Sequence, residues 1–171
     1  MEKNIDSINI FRPNISARSG RKVVGNMATI PKRNETLSQV LQSILPQVDE
    51  LNLYLNNYSA DYDLYHDKPE LLKFKDKILI YFSSEIGDRR EHARFHKALE
   101  YNNEWYYACF DDDLIYPVDY INKLVLKSQI YNDLSVTCVH GYSLWSSLSD
   151  FTSDPQRQSR YYHFNKQLAF D

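Results

Sequence analysis

Cysteine is nearly absent from this sequence, basic residues gather into no stripe, and no apolar run approaches the length of a membrane span. The two cysteines, Cys109 and Cys138, cannot build a disulfide framework. Each sits inside an apolar run, so both read as reduced, buried thiols. A net charge of −3 gives no general attraction to nucleic acid. The amino terminus, MEKNIDSINIF, lacks the charged-then-apolar layout of a signal peptide. These absences point to a cytoplasmic protein without a transmembrane segment. They leave room for peripheral association with a membrane biosynthetic complex at the inner face.

What is present is the material of one domain. A chain of 171 residues can bury roughly 70% of the surface its unfolded form exposes. A hydrophobic share of 43% with 25% charged residues is ordinary for a globular protein. Fourteen tyrosines supply core packing and rings able to stack on sugars. Residues 1–21 show no sustained periodicity and read as a flexible lead-in. The ordered domain is expected over 22–171.

It opens with a β-rich run, RKVVGNMAT. Leu37, Val40, Leu41, Ile44 and Leu45 then form a helical apolar stripe, with Asn34 as the expected cap and Pro46 as the stop. ELNLYLNN alternates as a strand does, and KILIYFSS and WYYACF read as two more strands. DRREHARFHKALEYN, residues 88–102, has a weaker stripe through Phe95, Ala98 and Leu99 and reads as a helix. Pro117 suits the first turn of a helix whose apolar face is Ile121, Leu124 and Val125, and LSVTCVH reads as a last strand. This alternation predicts an α/β fold, a mostly parallel sheet with helices on both faces. Ligands of such sheets gather beyond the carboxyl ends of the strands. Polar residues collect at those ends here, in ATIPKR, NNYS, SSEIGDRR, DDD and HG.

The acidic triplet Asp111, Asp112 and Asp113 directly follows an apolar strand. Continued strand alternation would point Asp111 and Asp113 one way and Asp112 the other. Hard carboxylate oxygens with room for water and phosphate suit Mg²⁺ or Mn²⁺. The competing reading is a solvated turn with an acidic helix cap. His92 and His96 share the i, i+4 spacing of some zinc sites, but REHARFH is not HExxH and carries no partner spacing.

GNMATIPKR, LNLYLNNYS, GD followed by ARF, FDDDLIYPVDYI and VHG occur in an order that resembles the GT-A fold of nucleotide-sugar glycosyltransferases. The likeness covers about residues 22–171. It is nearest to bacterial capsular-polysaccharide transferases of the heparosan-type α-N-acetylglucosaminyltransferase kind. The resemblance implies a Rossmann-like domain that binds a UDP-sugar with Mn²⁺ or Mg²⁺. It further implies transfer of a sugar, N-acetylglucosamine by the nearest likeness, to an oligosaccharide or polysaccharide acceptor. By position, Asp113 would hold the metal, with Asp111 also near it and toward the ribose, and Asp112 would face the donor sugar. Ala28, Thr29 and Arg33 would cradle the nucleotide, Asn57 would lie against the base, and Asp88 and Arg94 would stand near the donor. His140 and Gly141 would fall on the acceptor side. The family pattern continues past FNKQLAFD, so the chain reads as a donor-binding half with the acceptor half incomplete. Ala93 replaces a frequent glycine.

Bland readings stand beside these. Arg33 at a helix start is unfavourable unless an anion is near, which favours a ligand phosphate over a merely solvated cation. Thr29 and the pair Asn56 and Asn57 also suit ordinary turns. Arg94 can pair with Glu91 or Glu100 on a solvated face, and His140 can be a satisfied strand-end histidine. Alternative functions are an inactive donor-binding or interaction module, and a metal-dependent phosphohydrolase or nucleotidyltransferase. The last usually opens on a Gly-rich loop, and ATIPKR has no glycine.

Overall fold

The computed structural model describes residues 20–138, 140–141 and 162–163. All but the last two residues of the predicted lead-in lie outside them. The chain divides into two compact units, Met1–Leu126 and Lys127–Asp171. The first holds β1 (Lys22–Thr29), α1 (Asn34–Ile44), β2 (Glu50–Leu55), α2 (Leu64–Asp67), β3 (Ile78–Phe82), α3 (Ser83–Ile86) and β4 (Trp105–Phe110). It also holds the start of α4 (Tyr120–Ile130). The four strands form one parallel sheet in the order β3-β2-β1-β4. This is the predicted α/β architecture.

Period-two alternation sorts the strand residues onto two unlike faces. Val23 and Met27 of β1, Leu51, Leu53 and Leu55 of β2, Ile78 of β3 and Phe110 of β4 make one apolar face. Onto it pack Leu37, Val40, Leu41 and Ile44 of α1, the stripe that the spacing predicts, joined by Ile121 and Val125. Each such residue, fully buried, contributes about 1.5–3 kcal/mol of transfer free energy. The opposite face is polar and aromatic. Asn52 Nδ2 donates to Asn26 Oδ1 at 2.8 Å and to the Tyr101 hydroxyl at 3.1 Å, and that hydroxyl donates to Glu50. Both asparagines are fully buried, so the alternation in ELNLYLNN separates two buried faces rather than core from solvent.

Several local expectations are corrected. Residues 88–102 form no α-helix but two 3-10 segments, Arg90–Phe95 and Ala98–Glu100. The stripe meant to drive that helix is not buried, with Phe95 57% and Leu99 102% exposed. Asn34 is the first residue of α1 rather than its cap, and its side chain donates to Asp67 Oδ2 instead. Pro46 is the expected stop, since α1 ends at Ile44 and the chain continues as a single 3-10 turn at Leu45–Gln47. The helix predicted after Pro117 starts at Tyr120.

In the second unit, residues 134–138 are not a strand. Leu134 and Val136 are 88% and 96% exposed, so residues 134–138 lack the buried side that would fix them in a sheet. Cys138 is exposed, not buried. β5 (His140–Gly141) pairs antiparallel with β6 (Tyr162–His163). Among the described residues no helix is long and apolar enough to cross a membrane.

Gly25 lies in β1 where the sheet meets its apolar neighbours most closely. A Cβ there would stand 2.8 Å from Leu51 Cδ1 and 3.0 Å from Phe110 Cε2. Gly25→Ala is expected to cost about 1–3 kcal/mol through overpacking. The midpoint of urea unfolding reads this directly, and an unchanged midpoint would contradict the packing described.

Candidate functional site

Parallel pairing brings the ends of all four strands to one edge, and the strand order reverses there, since β2 and β4 flank β1 on opposite sides. Sheets of this kind open a crevice at that point. The chain leaves β1 through Thr29 and Ile30 into a 3-10 turn, Pro31–Arg33, that runs into α1. The Asn56 N–H donates to Thr29 O at 2.9 Å, joining the ends of β1 and β2. Asn57 follows at φ 59°, and its N–H donates to Ser83 Oγ at 3.0 Å. After β3, Gly87 turns the chain at φ 81° and Asp88 Oδ1 accepts from the Arg90 N–H at 3.0 Å.

A cleft of about 470 Å³ lies over these ends. Six residues predicted from the sequence line it: Ala28, Thr29, Arg33, Asn57, Asp88 and Asp112. Arg94, Asp111 and Asp113 stand outside its lining. Ile30, Asn56, Arg90 and Glu91 line it without having been predicted as site residues. In the sequence Asn56 reads only as a turn partner of Asn57, and Arg90 and Glu91 fall in a predicted helix that does not form. His140 and Gly141 make β5 of the second unit, and their side chains lie outside the described residues.

The three carboxylates of the triplet are paired with two arginines named from the sequence. Arg94 Nη1 is 2.8 Å from Asp111 Oδ1. Arg33 Nη2 is 3.0 Å from Asp113 Oδ2, and its Nε is 4.0 Å from Asp112 Oδ1. The anion that a cation beside the start of α1 requires is thus supplied within the chain. Strand alternation does not extend through the triplet, because β4 ends at Phe110 and the chain turns at 112–113. Asp112 and Asp113 therefore share Arg33, while Asp111 goes to Arg94. The Tyr116 hydroxyl fixes the turn, accepting from the Asp111 N–H at 2.8 Å.

Two carboxylates meeting at one guanidinium is an arrangement that also suits a divalent cation. Mg²⁺ sites use one or two carboxylates and complete the shell with water and ligand phosphates. The residues fit that requirement. They do not form a cage of their own, since no three His, Cys, Asp or Glu side chains converge among the described residues. The histidines stand apart from the acids. His92 is exposed beside Glu91, and the His96 ring lies edge-on to Tyr54.

Burial sets the ionisation of two groups near the ends of β2 and β4. The Tyr58 phenol is pushed up to about 12 by burial, with the neighbouring Thr29 hydroxyl opposing and Asp112 adding to the shift. Thr29 Oγ1 is nonetheless buried without a hydrogen bond of regular geometry, and so is Asn56 Oδ1. Burial likewise lifts the Cys109 thiol to about 11, partly offset by Arg94 and reinforced by Asp111.

No family model and no curated protein matches this sequence. The chemistry of the site rests on its geometry and charge.

The two thiols should separate in a labelling experiment. At pH 8 the lifted pKa leaves Cys109 with roughly a hundredfold less thiolate than an ordinary thiol. A chromogenic disulfide reagent is expected to titrate the exposed Cys138 quickly and Cys109 far more slowly. Equal rates on the two single-cysteine variants would contradict the burial of Cys109.

Proposed function

We propose that the cleft binds the nucleoside diphosphate part of a sugar nucleotide, UDP by the sequence likeness, and that the chain is a metal-assisted glycosyltransferase domain. One observation carries the reading. The cleft at the reversal of strand order combines Asp112 and Arg33 with the ends of β1 and β2. In open α/β sheets this is where nucleotides are held.

Charge adds a condition. The lining carries two guanidinium groups, Arg33 and Arg90, against three carboxylates, Asp88, Glu91 and Asp112. A diphosphate entering such a cleft meets a negative balance, so binding calls for a divalent cation. Asp112 and Asp113 would hold Mn²⁺ or Mg²⁺, with Asp111 kept beside them by Arg94. The ion would neutralise charge on the leaving diphosphate. The protein's own part is to orient the donor, so that the anomeric carbon is open to an acceptor hydroxyl. The bond to the acceptor oxygen forms as that to the diphosphate breaks, the electron pair leaves on the diphosphate, and the acceptor hydroxyl's proton passes to solvent or to the departing diphosphate. N-acetylglucosamine and a growing glycan are the donor sugar and acceptor that the sequence likeness favours.

Titration calorimetry with UDP, with and without Mn²⁺, tests the binding step. The expectation is Mn²⁺-dependent binding that Asp113→Ala weakens by about tenfold or more while circular dichroism is unchanged. UDP binding indifferent to both Mn²⁺ and the substitution would sink the reading. Incubation with a labelled UDP-sugar and oligosaccharide acceptors then distinguishes the activities. Label in the acceptor marks a transferase, label in free sugar a hydrolase, and unchanged donor a binding module.

A further inference from the structure

Arg90 is held in a conformation that its side chain type does not favour. Its φ is 52°, in the left-handed region that non-glycine residues enter at a cost. Three residues earlier the same loop needs a positive φ and uses glycine, Gly87 at 81°. A position that served only to turn the chain would tolerate glycine equally well. Here an arginine is kept.

The strained backbone is fixed from both sides. The Arg90 N–H donates to Asp88 Oδ1 at 3.0 Å, and Asn56 Nδ2 donates to Arg90 O at 3.0 Å. Asn56 is 2% exposed, and its own N–H is bonded to Thr29 O. Arg90 is thus tied through one buried side chain to the ends of the two central strands.

Its guanidinium is left free by this arrangement. Arg33 is engaged by Asp112 and Asp113, and Arg94 by Asp111 and the Glu91 carbonyl. Arg90 lines the cleft, and among the described residues its side chain pairs with no carboxylate. A guanidinium offers five donors and no acceptor, and its planar fork matches phosphate oxygens. We infer that Arg90 is the residue that grips the diphosphate of the bound nucleotide, and that Asn56 is the positioning residue that aims it.

This inference rests on the reading of the cleft as a nucleotide site, and the two can fail separately. Binding of UDP and of uridine, both with Mn²⁺, is measured for the wild type, Arg90→Gln and Arg90→Gly. Loss of the charge-assisted bonds is expected to weaken UDP by about tenfold to a hundredfold in Arg90→Gln, with uridine within about twofold of the wild type. Arg90→Gly should lose UDP equally while its thermal midpoint stays at or above that of the wild type, because glycine accepts φ 52° without strain. UDP affinity within about twofold of the wild type in Arg90→Gln, where the wild type binds well, overturns the inference and spares the cleft reading. An equal loss of uridine overturns the assignment to phosphate. A lowered midpoint in Arg90→Gly overturns the claim that the strain is retained for the side chain. A wild type that does not bind UDP removes the cleft reading and the inference with it.

Discussion

β1 is hydrogen-bonded in parallel to β2 along one edge and to β4 along the other, so the chain leaves all three strands at the same end of the sheet. Everything at the candidate site hangs from that pairing. The loop after β1 brings Thr29 and Arg33, the loop after β2 brings Asn56 and Asn57, and the turn after β4 brings the acids. The register places Asn26 beside Asn52 on β2 and Cys109 on β4, which puts a polar residue at the centre of a buried face. Burying those amides is tolerable because they bond each other and the Tyr101 hydroxyl. A satisfied polar network of this kind also disfavours slipped registers, in which each amide would lose its partner.

Electrostatics governs the cleft as the ladder governs the sheet. Three successive aspartates repel one another, and the structure answers with an arginine on each side. The pair between Arg33 and Asp113 has both side chains 45% exposed, so it adds only about 0–1 kcal/mol to stability. A contact that weak is readily exchanged for a ligand contact. Arg33 and Arg94 act as resident counter-ions of the acids, which among the described residues leaves Arg90 facing the cleft without a carboxylate of its own. The division of labour among Arg33, Arg90 and Arg94 is set by loop geometry, not by residue type.

Much of this was legible in the sequence. The helical stripe from Leu37 to Leu45 and the apolar strands identified the elements because burial on a regular element imposes a regular period. The alternation of strands and helices then located the strand ends, and the family resemblance singled out six of the residues there that line the cleft. The 88–102 segment misled for a physical reason. Its spacing is helical, but Phe95 and Leu99 have no surface to cover, and the bonds from Asp88 and Asn56 impose a backbone that no α-helix accommodates. That error hid Arg90 and Glu91. Likewise, alternation assigned Asp111 and Asp113 to one side, whereas the turn at 112–113 ends the strand rule one residue earlier and groups Asp112 with Asp113. Residues 134–138 carry strand-forming types, but type alone does not supply a neighbouring strand.

On the proposed reading, the edge formed by the ends of β1, β2 and β3 receives a nucleotide. Amide chemical-shift mapping in the presence of UDP and Mg²⁺ tests it residue by residue. Perturbations are expected to concentrate at 28–30, 56–57 and 88–91, together with the turn that carries Asp112. Shifts absent at saturating UDP, or confined to the opposite end of the sheet around Lys22 and Trp105, would contradict it.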